Sequence, residues 1–248
     1  MTQQELPNHT DPLFQIAEKL SADFSLFPEY EDNAVDHKVK GLIAPQQCAI
    51  ELDRLRKLNI DDYIQSVVAP SENPQRTDAK SIVKHLVVRI ISEVEDGPLY
   101  CAEADLDFGG QIRRVGFICQ NRSHANGAWG PIHHNRAAQQ AKNYASRAMP
   151  IITFIDTPGA DAGELANANN QAHSISHLIT EMVNNDVPTI GIIWGAGYSG
   201  GAIPLAATNI LLSVRDGIFN TIQPQGLASI ARKYNLSWQE CAKYVGVS

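Results

Sequence analysis

Cysteine is scarce and scattered. Cys48, Cys101, Cys119 and Cys241 lie far apart with no C-x-x-C pair, which excludes a zinc ribbon or a small disulfide scaffold and leaves buried free thiols in a reducing compartment. A basic surplus is missing too. Twenty Lys and Arg against 27 Asp and Glu give a net charge of -7, so no overall field draws the chain to nucleic acid or to an anionic membrane. No apolar run is long enough for a bilayer, since Leu86-Val87-Val88-Arg89-Ile90-Ile91 is short and interrupted by charge. The start Met1-Thr2-Gln3-Gln4-Glu5 is polar and lacks the basic-then-apolar order of a secretory signal. A cytoplasmic protein without nucleic-acid or membrane partners is expected. Asp156-Thr157-Pro158-Gly159 imitates the D-x-x-G segment of GTPases, but no G-x-x-x-x-G-K-[ST] phosphate loop precedes it. His133-His134 are adjacent and lack H-E-x-x-H spacing, so they read as surface or helix-start residues, and no metal is expected.

What is present is an α/β pattern. A chain of 248 residues suits one large core domain with an N-terminal extension. Residues 1–77 read as a helical extension, with helical stretches around Pro12 to Phe24 and Gln46 to Leu58, and residues 78–248 as the core. A helix is expected from Asp78 to about Ile91, then two strands, Leu99 to Leu106 and Arg113 to Cys119, joined through Gly109-Gly110. Small and apolar residues recur at helical spacing between Ala137 and Ala148, and Pro150 then opens the strand Ile151-Ile152-Thr153-Phe154-Ile155. The order repeats: Ile175, Leu178, Ile179, Met182 and Val183 mark a helical face, and Pro188 introduces the strand Thr189 to Trp194. Such near-continuous apolar strands, alternating with helices, form a sheet covered on at least one face.

Both strands run into glycine-bearing turns: Asp156-Thr157-Pro158-Gly159-Ala160, and Gly195-Ala196-Gly197-Tyr198-Ser199-Gly200-Gly201-Ala202. The carboxyl ends of strands are where α/β proteins place their sites. Gly200-Gly201 ahead of a helix expected over Ala202 to Thr208 offers unobstructed backbone N–H groups and the positive end of a helix dipole, which can hold a developing oxyanion. A Gly-Gly pair also serves plain tight turning. Gly197-Tyr198-Ser199-Gly200-Gly201 matches the G-x-S-x-G elbow of serine hydrolases, yet all eight histidines precede Ser199, against the chain order of that fold. A hydrolase is therefore the second reading.

Taken together, Met149-Pro150-Ile151-Ile152-Thr153-Phe154-Ile155-Asp156-Thr157-Pro158-Gly159-Ala160, Val187-Pro188, Ser199-Gly200-Gly201-Ala202 and Pro224-Gln225-Gly226-Leu227-Ala228-Ser229-Ile230, with a weaker echo at Asn73-Pro74-Gln75-Arg76, closely resemble the carboxyltransferase alpha subunit of acetyl-CoA carboxylase. The resemblance covers roughly residues 60 through 248. It implies a crotonase-like superhelix of strand-strand-helix units, and a site shared with a homologous beta subunit. Carboxybiotin on a biotin carboxyl carrier protein would release carbon dioxide, which an acyl-CoA enolate captures, giving malonyl-CoA for fatty-acid synthesis from acetyl-CoA. No side-chain nucleophile is needed. By the same resemblance, Gly200 and Gly201 carry the oxyanion role, while Gly159, Ala160, Ser199 and Gly226 lie along the substrate site, and the family's zinc belongs to the beta subunit. The chain departs from the pattern at Ala196 and Gln225, where such subunits usually carry Glu, and at Tyr198, which replaces a glycine. The stretch Asp161 to Asn170 lacks the acidic and arginine residues that typically follow the Pro-Gly-Ala turn, and the chain stops short of the family's usual C-terminal helices. These departures fit a divergent paralogue with an altered acyl or carrier partner. Alternatives of another kind are a non-catalytic scaffold for a beta-like subunit, and a biotin-independent CoA-thioester hydrolase or decarboxylase.

Overall fold

The computed structural model describes residues 59–242. The expected helices around Pro12 to Phe24 and Gln46 to Leu58 lie outside them. The described residues belong to one compact unit. The helical segment α1 (Ile60–Tyr63) runs through a π-helical turn, Ile64–Val68, into α2 (Ala69–Glu72). It belongs with the sheet because Ile64 and Val68 are buried in one cluster with Ala196, Tyr198 and Ile218. Arg76 reinforces the join: its guanidinium donates to the Trp194 carbonyl, stacks over the Trp194 ring at 5.3 Å and pairs with Asp216 at 2.6 Å.

Next comes α3 (Ala79–Leu86), capped by Asp78, whose carboxylate accepts from the Ser81 N–H at 2.8 Å. The helix expected to reach Ile91 ends five residues sooner. The chain turns instead into β1 (Arg89–Asp96), because this stretch pairs antiparallel with β2 (Leu99–Asp107) over its whole length. β2 then pairs antiparallel with β3 (Ile112–Gln120) across the Gly109-Gly110 turn, where both glycines have positive φ and Asp107 accepts from the Gly110 N–H.

From β3 onward the sheet is parallel. α4 (Pro131–Ser146) leads to β4 (Ile151–Thr157); α5 (Glu164–Ala168) and α6 (Gln171–Val183) lead to β5 (Thr189–Tyr198); α7 (Ser199–Ala206) leads to β6 (Ile210–Ser213). The strand order is β1-β2-β3-β4-β5-β6, and β7 (Ile218–Asn220) pairs with the far end of β5. α8 (Pro224–Ile230) and α9 (Trp238–Ala242) close the described chain. β4 is buried along its entire length, as a central parallel strand covered on both faces requires. One core lies between the sheet and α4, α6 and α7; the other lies under α3. Ala137, Ala138 and Ala141 let α4 approach the sheet closely, and the Tyr144 ring rests directly on Gly116, where a Cβ would stand 2.3 Å away.

Two expectations need correction. β5 does not stop at Trp194 but continues to Tyr198, because β7 supplies a ladder for Ala196, Gly197 and Tyr198. α7 begins at Ser199, not Ala202, so Gly200 and Gly201 sit inside its first turn. His134 differs too: it is at a helix start as expected, but fully buried, with Nδ1 against the Gly130 carbonyl at 3.1 Å and its ring edge-on to Trp129. Cys101, Cys119 and Cys241 are buried free thiols. Among the described residues no helix is long and apolar enough to cross a membrane.

Candidate active site at the two glycine turns

β4 and β5 are neighbours, so the turns that leave their carboxyl ends meet. In the first, Thr157 stabilises the reversal: its hydroxyl donates to the Gly159 carbonyl at 2.8 Å and accepts from the Gly159 N–H at 3.2 Å. Gly159 has φ +136, a region that side chains rarely adopt. In the second, Ser199 takes φ +56 at the passage from β5 into α7. The approach is closest at Gly201, where a Cβ would lie 2.5 Å from the Gly159 carbonyl carbon and 2.6 Å from the Ala160 nitrogen. Gly159 in turn faces the Ser199 Cβ, with 3.7 Å left for a Cβ of its own. Gly159, Ala160, Ser199 and Gly201 thus form one backbone cluster, and Gly200 adjoins it, facing Ile175. Gly226 is not brought in. It sits on α8, and its Cα faces Ile222.

α7 has no side-chain cap at Tyr198, so the N–H groups of its first turn, Gly200 and Gly201 included, have no partner within the helix. They carry the positive end of the helix dipole and suit an oxygen that gains negative charge. Ser199 has the backbone form of a hydrolase elbow, but among the described residues no histidine hydrogen-bonds its hydroxyl. No group of three or more His, Cys, Asp or Glu able to hold a metal occurs among the described residues.

Behind the turns runs a buried polar relay that the sequence reading missed. Gln120, at the end of β3, donates to the Gly201 carbonyl at 2.7 Å and accepts from the Asp156 N–H at 3.1 Å. The Asp156 carboxylate, only 2% exposed, accepts from Arg122 at 2.6 Å and from the Ala196 N–H at 3.1 Å. Burial pushes its carboxyl above the ordinary range, while the Arg122 charge opposes that rise. Arg122 also donates to the Glu72 carbonyl at 2.8 Å, and the Glu72 carboxylate accepts from Gln223 at 2.9 Å and Gln225 at 3.3 Å. The relay therefore joins the glycine cluster to the start of α8, beside Gly226. One signal for it was present: Gln120-Asn121-Arg122 are polar residues directly at the carboxyl end of an apolar strand. An open cleft of about 470 Å³, lined by Glu103, Arg113, Arg114 and Arg147, lies elsewhere, at the opposite end of β4 beside Pro150.

The mixed α/β sheet, with two glycine turns apposed at its carboxyl edge, has the fold of the crotonase-like carboxyltransferases. Transcarboxylase 12S, solved with methylmalonyl-coenzyme A, superposes with a TM-score of 0.63 over 79% of this chain and 38% of that one, at 16% identity. The model of the family described as acetyl co-enzyme A carboxylase carboxyltransferase-like matches residues 118–248. The chain belongs to this family. It is 26% identical over 243 residues to the acetyl-coenzyme A carboxylase carboxyl transferase subunit alpha of Carboxydothermus hydrogenoformans, covering 94% of this chain and 73% of that protein. It is 35% identical over 100 residues to the subunits beta/alpha protein of Salinispora tropica, covering 40% of this chain and 18% of that protein.

Proposed function

We propose that this chain is the alpha-type subunit of a biotin-dependent acetyl-CoA carboxyltransferase, acting in the cytoplasm with a beta-type subunit and a biotin carboxyl carrier protein to form malonyl-CoA. The observation that carries the reading is the backbone cluster of Gly159, Ala160, Ser199 and Gly201, with Gly200 beside it, in the part of the chain that matches the family. A relative in which beta and alpha subunits form one chain supports the shared site. Biotin, carboxylated on its carrier, would supply the activated carboxyl group. This chain's part is electrostatic. The N–H groups of Gly200 and Gly201 hold an oxygen as it becomes negative, and removing one such donor from an enzyme costs about 3 kcal/mol of barrier. The Gly159–Ala160 turn forms the adjoining wall. Gly226, placed along the substrate site by the resemblance, lies on α8 next to Gln225, whose amide donates to Glu72. The partner's equivalent glycines hold the thioester enolate.

The test is carboxyl exchange between malonyl-CoA and biocytin, with this chain alone and co-produced with the beta-type subunit of its own genome. Activity confined to the pair supports the shared site. A stable pair without exchange would refute the reading in favour of a scaffold, and CoA release by the chain alone would refute it in favour of a hydrolase.

A further inference from the structure

The two turns leave different strands, and one side chain from a third strand fastens them together. Gln120 is fully buried at the end of β3. Its Nε2 donates to the Gly201 carbonyl at 2.7 Å and its Oε1 accepts from the Asp156 N–H at 3.1 Å. A primary amide does both at once. Glutamate at neutral pH keeps the acceptor and loses the donor, lysine and arginine have no acceptor, and methionine has neither in comparable strength. Both bonded groups belong to the turns themselves: Gly201 is the residue whose Cα abuts the Gly159–Ala160 peptide, and Asp156 is the residue from which that turn departs. The anchoring is stiff on each side. Asp156 is held a second time through its carboxylate by Arg122 and the Ala196 N–H, and the Thr153 hydroxyl pins the other end of α7 by donating to the Leu205 carbonyl at 2.6 Å.

We propose that Gln120 is a positioning residue for the carboxyl-transfer site. It fixes the first turn of α7 against the Asp156–Ala160 turn, so that the free N–H groups of Gly200 and Gly201 converge on a constant point. This inference rests on the carboxyltransferase reading for its kinetic consequence, but its geometric core does not. Gln120 touches no substrate in this arrangement. It acts through the backbone of the donor residue, whose carbonyl it holds, and a small displacement there matters because donors must lie within hydrogen-bond distance of the charge that develops.

The experiment uses the full chain co-produced with its beta-type partner, as wild type, Gln120→Met and Gln120→Asn. Methionine keeps the length and removes both hydrogen bonds; asparagine keeps the amide but falls one methylene short of spanning both partners. The expected result for either variant is a KM for malonyl-CoA close to wild type, with kcat lowered on the order of ten- to a hundredfold, as misplaced groups give. Amide hydrogen exchange is read alongside: peptides covering 156–162 and 199–206 should exchange faster, while α4 stays as protected as in wild type. Unchanged kcat, or unchanged exchange in those two segments, would overturn the proposal. A uniform rise in exchange that includes α4 would overturn it as well, showing a role in general stability only. If the Met variant does not fold, the Asn variant decides. A wild-type complex with no carboxyl exchange would sink the carboxyltransferase reading by itself, and the exchange pattern would then settle the role of Gln120 separately.

Discussion

Gly200 and Gly201 are neighbours in sequence with opposite tolerance to a methyl group. At Gly201 a Cβ would stand 2.5 Å from the Gly159 carbonyl carbon, 2.6 Å from the Ala160 nitrogen and 2.9 Å from the Gly159 oxygen. These are backbone atoms of a turn that Thr157 holds by two hydrogen bonds, so none can swing aside. At Gly200 the methyl would meet only the Ile175 Cδ1, at 3.3 Å. That atom ends a side chain able to give way. Both glycines are helical, and alanine is favoured over glycine in a helix by up to about 1 kcal/mol. Gly200→Ala should therefore change stability by less than about 0.5 kcal/mol once the slight crowding offsets the helix gain. Gly201→Ala should cost about 2 kcal/mol through overpacking. For a domain of this size that is a fall of roughly 4 to 8 °C in Tm. The same displacement moves the N–H donors, so carboxyl exchange should drop on the order of a hundredfold in Gly201→Ala and stay near wild type in Gly200→Ala. Gly201→Val would push the turn further and destabilise the fold too. Thermal unfolding and malonyl-CoA–biocytin exchange on both alanine variants check this. Equal stability and activity in Gly201→Ala, or greater damage from Gly200→Ala, would refute the reasoning.

Arg122→Met leaves the buried Asp156 carboxylate without its cation, which should cost about 3 to 5 kcal/mol. Because that carboxyl already sits above its ordinary 3.8, the folded variant retains its proton to higher pH than the unfolded chain, and its stability should decline as pH rises above that value; urea midpoints that do not fall with rising pH would contradict this. His134 is neutral in the fold down to about pH 4 because burial opposes its charge, whereas an unfolded histidine takes up its proton near 6.5. Stability should thus be lost as pH falls through that window, by up to about 3 kcal/mol, and His134→Leu should flatten the profile. Glu103 is held below its ordinary 4.5 by hydrogen bonds from Arg147 and Arg114, and Asp105 below its ordinary 3.8 by those from Arg114 and Arg89. Both contribute stability above those values and lose it as pH falls further, so Arg114→Met should raise the pH of the acid-unfolding midpoint, and an unmoved midpoint would show the cluster to be inert.

What could be read from the sequence was local. The Gly109-Gly110 hairpin announced itself because a two-strand turn needs positive φ at adjacent residues, and β4 did so because a central strand must be apolar throughout. The glycine turns were visible for the same reason. What escaped depends on residues distant in the chain. β1 is mostly exposed and charged, an edge strand whose only claim to be a strand is its pairing with β2. The extension of β5 through Gly195 to Tyr198 is conferred by β7, some twenty residues later. A glycine-rich segment read in isolation looks like a turn; Gly197 is instead a strand residue lying so close to β7 that a Cβ would come within 2.8 Å of the Ile218 carbonyl. Gln120, Arg122 and Glu72 matter only because the fold sets the ends of β3, β4 and α2 together.

The departures from the family pattern acquire a physical meaning in the same way. The resemblance implies a glutamate at position 196, but the Ala196 methyl is buried with Ile64, Val68, Tyr198 and Ile218 beneath the α1–α2 segment. A carboxylate there would have to be desolvated inside an apolar cluster, at a cost of several kcal/mol. Tyr198 fills the same cluster with a ring where a glycine would leave a void. At Gln225, the other position where the resemblance implies glutamate, the amide donates to the Glu72 carboxylate, as Gln223 does. A glutamate at 225 would set two like charges against each other. The carboxylate that both amides meet, Glu72, comes from α2, which continues the segment whose Ile64 and Val68 pack with Ala196. Ala196 and Tyr198 are thus matched to the docking of α1–α2 onto β5, and Gln225 to the Glu72 carboxylate that this docking brings in. The relay ties the same region to the glycine turns, because Gln120 and Asp156 reach the Gly159–Gly201 contact and Arg122 links Asp156 to Glu72, which accepts from Gln223 and Gln225 at the start of α8.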